Sequence, residues 1–559
     1  MDGNTSVILT WHDVIRCLEE DPSLLAAQRR DRISAVRRVC EIAGIDPRAT
    51  PASLDYMRPL LKKVRPAKHR LQPKTWANLR SNLRAALAQV RPPRPERHLD
   101  PAWARWRAAL PNQRLKVGLS RFMTYSERAG IAPAAVCDAV LERFLAELEA
   151  DSLLPNPRHC HRRTCRLWNE AVEKVPGWPG GRVSVPPPQT VRRTLPLSSY
   201  PEQLQTEFEF YVSPPLGDRF AQDGHRKKLR PATVTQNKVL IELALFAAVE
   251  AGTDPASITT LDYLFEPPVF QTILERYCET DADQTPRPTA HNLARMLIGF
   301  AKQRLGATPA ARDRIAELTR LQRCLGPQPQ GLAEKNQRFL RELSDPATLA
   351  KLLLLPERLA NWAARTTWAR GALAMELATA IAILLIAPMR IKNLAELHLK
   401  QHLGRPGGPR SLLMIDIPPE QVKNKVRLLY ELSQRVTRVV DRFIRDYRPR
   451  LAEPGNLYLF PVGAIHKTPN YFSRQIRDII ADRVGIDMTP HQFRHLAGLL
   501  MQRNSPGSFA ALAQLLGHKK IETVIRYYAE LDTLSAGREF DAIVEGELAK
   551  AYLPRRGRS

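Results

Sequence analysis

A helical pattern that runs into a glycine, with a proline three residues later, occurs three times in the first 300 residues and commits that part of the chain to small bundles of helices. The clearest pair is RRVCEIAGIDPRATPASLDYM, from Arg37, and ALFAAVEAGTDPASITTLDYLF, from Ala244, which share Ala-Gly, Asp-Pro and Leu-Asp-Tyr; a more degenerate copy, RFMTYSERAGIAPAAVCDAVLERFL, begins at Arg121. Gly44, Gly130 and Gly252 suit helix C-caps, where a left-handed residue closes the last turn, and Pro47, Pro133 and Pro255 suit the start of the next element. Each copy is followed by a second, basic helical segment: LQPKTWANLRSNLRAALAQV, NPRHCHRRTCRLWNEAVEKV and PRPTAHNLARMLIGFAKQRL, with apolar residues near i, i+3, i+4 and i+7.

Proline and glycine mark the joints. WPGGRVSVPPPQT cannot be helical through Pro186, Pro187 and Pro188, and GPQPQG at 326–331 makes a second break. At 559 residues the chain exceeds a single core. The expected division is a helical module at 1–105, a second at 106–195 ending in the proline-rich linker, a third bundle at 196–327 and a C-terminal domain at 328–559. That last region is mostly helical, but SLLMIDIPPEQVKNKVRLLYEL has the β-branched and apolar character of a short antiparallel sheet. The fold class expected is therefore mainly α, with repeated small bundles and one mixed α+β domain.

Lys and Arg number 84 against 57 Asp and Glu, an excess of +27 spread along the chain, which favours a polyanionic partner. Seven cysteines lie without framework spacing, as in a reducing compartment. His159, Cys160, His161 and Cys165 lack a second ligand pair at a zinc-site spacing, so no metal is expected there. The opening MDGNTSVILT has no secretory pattern, and the apolar run Ala372 to Met389 contains Glu376 and reads as a buried helix. The expectation is a soluble cytoplasmic protein, nucleoid-associated when bound to DNA, with no membrane partner.

The chemistry concentrates near the C-terminus. His491 and Arg494 stand in TPHQFRHLAGLL, His518 and Tyr527 in LLGHKKIETVIRYYAEL, and Arg390 upstream in APMRIKNLAEL. Two arginines, two histidines and a tyrosine suffice to attack a DNA phosphodiester through a phenolic oxygen: guanidinium forks hold the non-bridging oxygens, which a lysine point charge cannot mimic.

In this order the residues resemble the catalytic domain of the tyrosine recombinases, the phage integrase superfamily, over about 330–545. The family pattern of a box arginine, a hairpin lysine, His-x-x-Arg, Gly-His and a tyrosine nine residues further on reads here as Arg390, Lys423, His491 with Arg494, Gly517 with His518, and Tyr527. The resemblance implies that Tyr527 is the nucleophile, His491 exchanges its proton, Arg390 and Arg494 stabilise the phosphorane, His518 adds a hydrogen bond and the hairpin lysine protonates the leaving 5′-oxygen. Lys423 is preferred for that last role; Lys425, two residues on, would share its face on a strand. Tyr528 competes with Tyr527, though neighbours on a helix project about 100° apart and only one can face the phosphate. The first box departs from the family's Thr-Gly-Leu-Arg and acidic residue: here it is Ala-Pro-Met-Arg390, with Asn393 in the acidic position and Glu396 further on.

The resemblance further implies a site-specific recombinase or integrase of the mobile-element type that works through a 3′-phosphotyrosyl intermediate without metal, ATP or other cofactor. It acts on double-stranded DNA as a homotetramer on two sites, with or without sister recombinases. Residues 196–327 would be the core-binding domain, entered by HRKKLRPATVTQN. A type IB topoisomerase-like enzyme shares the chemistry, and a catalytically silent DNA-binding protein would keep the fold alone. The tail TLSAGREFDAIVEGELAKAYL has a helical pattern of the kind recombinases pass to a neighbouring subunit.

Overall fold

A computed structural model describes residues 9–90, 101–187, 194–212, 229–278, 288–306, 308–327, 332–527, 541 and 543–545. The chain divides into two compact units, one formed by Met1–Pro187 with Gly331–Ser559 and the other by Pro188–Gln330. HRKKLRPATVTQN lies partly, and the C-terminal tail mostly, outside the described residues.

In the first unit, helices Trp11–Glu20, Ala26–Ala43, Leu54–Lys63 and Pro73–Gln89 bury Trp11, Val36, Met57 and Leu83 in one apolar core. Helices Pro101–Ala109, Gln113–Arg128, Asp138–Asp151 and Pro157–Lys174 build a second around Trp103, Phe122, Phe144 and Trp168. Phe122 meets Phe144 and Trp168 edge-on at centroid distances of 5.2 and 5.7 Å, the geometry that the ring quadrupoles favour. The two cores are tied by Arg58, which donates to the Glu149 and Ser152 carbonyls, and by Arg80, which donates to Leu153 O at 2.8 Å. His161 and Cys165 belong to the buried face of Pro157–Lys174, and among the described residues no three metal-ligating side chains come together.

The second unit packs helices Glu202–Val212, Pro231–Glu250, Pro267–Cys278, Pro288–Arg304 and Pro309–Cys324 around Ile241, Leu245, Phe265, Phe270 and Leu297. All three repeat turns close alike. Ile45 N–H donates to Cys40 O, Ile131 N–H to Ser126 O and Thr253 N–H to Ala248 O, each across a glycine with φ between 64° and 101°. This six-to-one bond is the Schellman closure, and it needs the left-handed conformation that glycine adopts without strain.

In the C-terminal region helix Trp368–Ile386 is the core around which the rest packs. It and Pro231–Glu250 are long and apolar enough to cross a membrane, but 72% of the apolar window of Trp368–Ile386 is buried by protein. Its one buried charge, Glu376, is matched by the Lys467 ammonium at 2.5 Å, and both are nearly inaccessible. An antiparallel sheet, β1 (Leu403–Gly404), β2 (Met414–Ile417) and β3 (Leu428–Glu431), lies in that order with Ile415 opposite Tyr430; β4 (Pro461–Val462) and β5 (Ile465–His466) form a separate hairpin. In β2 and β3 burial alternates, so Ile415, Ile417, Leu428 and Tyr430 face the core.

Candidate active site

Arg494 is the hub. It sits in the first turns of helix Gln492–Asn504, 3% exposed. Its Nη1 donates to Pro388 O at 2.9 Å, and its Nη2 donates to Leu516 O at 2.6 Å and His518 Nε2 at 2.8 Å. One guanidinium thus holds the backbone two residues before Arg390 and two residues before His518. Since arginine can only donate, His518 Nε2 must accept, which fixes the neutral tautomer with its proton on Nδ1. Burial, then the charges of Arg494, Arg390 and His491, push the His518 pKa down to about 4, in keeping with that tautomer.

Arg390 is the N-cap residue of the short helix Ile391–Ala395, in extended conformation and half-buried. Among the described residues its guanidinium forms no side-chain hydrogen bond or ion pair. Arg448 shows the contrast: it is buried too, but donates to the Tyr458 carbonyl at 2.8 Å and to that of Asn456. Desolvation lowers the Arg390 pKa, with Tyr430 acting in the opposite direction, though a guanidinium keeps its charge regardless. A half-buried cation without a counter-charge is costly unless an anion arrives.

His491 is exposed at the start of helix Gln492–Asn504; the protein packed around its ring, then the charges of Arg494 and Arg390, lower its pKa below the usual histidine range. Beneath it lies His495, buried and perpendicular to it at 5.5 Å between ring centroids. Burial, then His491 and Arg494, bring the His495 pKa to about 4. Both rings are therefore neutral at neutral pH, and His491 can accept a proton.

The lysine tract differs from the expectation. Lys423 and Lys425 are exposed but lie in the loop between β2 and β3, after a 3-10 turn at Pro419–Gln421, so strand alternation does not relate them; Lys425 has φ 52°. Pro418 and Pro419 end β2 early because they supply no N–H to the ladder. Asn424 between the lysines donates from Nδ2 to Gly517 O at 2.9 Å, and Asn393 donates to Gln421 O at 3.1 Å. The Asn in the acidic position of the first box therefore holds the loop carrying the lysines, while Glu396 pairs with Lys392 at 3.8 Å.

Gly517 and His518 close helix Phe509–Leu515 by the same Schellman pattern as the repeats: His518 N–H donates to Ala513 O at 2.9 Å, with Gly517 at φ 59°. Helical residues 521–527 follow, with Tyr527 exposed at 39%. Tyr528 lies outside the described residues. The structure thus gathers Arg390, Arg494, His491 and His518 into one cluster and anchors the Lys423 loop to its Gly-His turn. Sequence reading missed His495, Asn424 and Tyr430. Tyr430 donates its hydroxyl to Leu515 O at 2.9 Å, and burial pushes its pKa up to about 12 against the pull of Arg494 and Arg390. The sequence signal for Tyr430 was its inward register on β3; for Asn424, a tertiary contact, there was none.

Residues 357–533 match the phage integrase family, a span that contains every residue of the cluster. No curated protein matches the chain. Among solved structures the chain is similar to the XerA recombinase, at 16% identity over 59% of this chain and 94% of that one, with a TM-score of 0.23. It is also similar to the XerH site-specific recombinase bound to difH substrate in a pre-cleavage complex, at 14% identity over 58% and 89%, with a TM-score of 0.30. The family match at 357–533, about a third of the chain, marks a phage integrase family domain in its C-terminal region.

Proposed function

We propose that the protein is a site-specific recombinase of the mobile-element type that cuts and rejoins double-stranded DNA through a tyrosine. The Tyr527 oxygen attacks the scissile phosphorus, and its proton passes to His491. The bond from phosphorus to O5′ breaks, the departing oxygen takes a proton from Lys423, and the DNA is left joined to the protein as a 3′-phosphotyrosyl ester with a free 5′-hydroxyl. Attack by another strand's 5′-hydroxyl reverses the steps and reseals the DNA without ATP. Residues 328–559 are the catalytic domain, residues 196–327 the core-binding domain and the two modules before them further contacts. The enzyme works in the cytoplasm as a homotetramer on two sites.

The observation that carries this reading is the half-buried Arg390 guanidinium with no side-chain partner among the described residues, beside a second arginine and two neutral histidines. That is a receptacle for a phosphate whose negative charge grows in the transition state. Arg494 gives part of its fork to protein carbonyls, so the forked grip on phosphate falls chiefly to Arg390.

The test uses randomised nicked duplexes, from which wild-type protein retains covalently attached DNA in the presence of EDTA. Wild type is expected to form a denaturant-resistant adduct, and Arg390→Ala to form it about a hundred to a thousandfold more slowly while still binding DNA. Tight DNA binding with no adduct would leave only the binding-protein reading.

A further inference from the structure

The loop between β2 and β3 carries the candidate general acid, yet neither strand controls its tip: Lys423, Asn424 and Lys425 lie beyond the last paired residue, Ile417 opposite Leu428. Proton donation requires the lysine-bearing tip to keep one position relative to the phosphate. Besides the Arg427–Asp416 pair and the Lys425 N–H bond to Val422 O, side-chain contacts tie the loop to its surroundings. Asn393 holds its entrance at Gln421, Tyr430 holds its exit strand to Leu515 O, and Asn424 fastens its tip to Gly517 O at 2.9 Å. The last ties the tip to the Gly-His turn, and its acceptor adjoins His518, which Arg494 in turn holds. Gly517 is shaped for the contact: its left-handed φ turns the carbonyl, and a Cβ there would stand 2.5 Å from Leu428 Cδ2.

From this geometry we infer that Asn424 is a positioning residue for strand cleavage. Its amide ties the lysine-bearing tip to the Gly517–His518 turn, so that the ammonium of Lys423 reaches the leaving O5′ while the arginines and His518 hold the same phosphate. Asn424 touches neither substrate nor reacting atoms. It acts through the lysine, and the inference rests on the strand-cleavage reading above. Asparagine suits the place because it donates to a carbonyl while staying uncharged. Aspartate, of the same shape, has no donor and would repel that carbonyl.

The experiment compares wild type, Asn424→Asp, Lys423→Ala and the double variant on a duplex recovered by covalent trapping from the randomised library. The duplex is made with an ordinary phosphodiester, or with sulfur in place of the bridging 5′-oxygen at the scissile position. A thiolate leaves without a proton, so a defect confined to proton delivery disappears on the sulfur substrate. The expected result is that Asn424→Asp cleaves the oxygen substrate about ten to a hundredfold more slowly than wild type and the sulfur substrate within about threefold of it. Adding Asn424→Asp to Lys423→Ala should cause no further loss, since the two act as one unit. Equal slowing on both substrates, additive losses in the double variant, or wild-type rates from Asn424→Asp would each overturn the inference and leave the cleavage reading standing. Failure of wild type to cleave either substrate would remove that reading, and the inference with it.

Discussion

At the scale of single residues the site is a set of neutral histidines held between fixed positive charges. His518 is held neutral by the direction of a hydrogen bond, because the Arg494 amino group can only donate to it. His495 is held neutral by burial, and its pKa of about 4 has a consequence for stability. Above the ordinary histidine value of about 6.5 neither folded nor unfolded chain carries this proton. As pH falls from there toward 4 the unfolded chain takes it up first, so the folded state loses stability across that window and the loss levels off below it. His495 alone should cost about 2 kcal/mol between pH 7.5 and pH 5. Urea unfolding at the two pH values tests this: His495→Gln should remove that share of the pH dependence, whatever it does to stability at pH 7.5. An unchanged pH dependence would mean that His495 titrates normally. For cleavage, the lowered His491 pKa has the opposite sense, since it keeps the ring available as a proton acceptor below the usual histidine range.

At the scale of elements, one device recurs. The Schellman closure that ends the first helix of each repeat also ends Phe509–Leu515 at Gly517, where it presents His518 to Arg494. Gly517→Ala should therefore cost about 1–3 kcal/mol from the left-handed backbone alone. Crowding against Leu428 adds to this, and the cleavage rate should fall by more than the lost folded population explains. Denaturant midpoints and single-turnover rates on the same preparation check both parts, and a variant with wild-type rate would show that the turn tolerates a side chain. The helices, the small sheet and the glycine turns were legible in the sequence because each rests on local rules of periodicity, β-branching and φ. The types and order of Arg390, His491, Arg494 and His518 were legible too, through the spacing of their motifs. The lysine loop was not: Pro418 and Pro419 end the strand before the lysines, so alternation had no strand to act on. The register of Tyr430 on β3 was legible, but its contact and that of Asn424 were not, since their partners Leu515 and Gly517 are 85 and 93 residues away. No local pattern encodes such pairings.

At the scale of the whole molecule, the first unit joins the chain's beginning to its catalytic end. The turn Pro66–His69 packs on the backbone at Gly485, where a Cβ would stand 3.1 Å from Lys68 N, and Lys68 pairs with Glu342 at 2.9 Å. Charge works at this scale as well. With 84 basic against 57 acidic residues, DNA binding should be driven mainly by release of counterions from phosphates. If about six phosphates are neutralised, affinity should fall on the order of a thousandfold between 50 and 200 mM salt. Titration of fluorescent duplexes across that range measures the slope, and a nearly flat dependence would speak against phosphate contacts as the source of affinity.

The measurement that bears most directly on the central claim is mass spectrometric identification of the residue that carries DNA after covalent trapping and nuclease digestion. A nucleotide-3′-phosphate is expected on Tyr527, absent from Tyr527→Phe and retained in Tyr528→Phe. A modification on Tyr528 or on any other side chain, or none at all in protein that binds the duplex tightly, would contradict that claim.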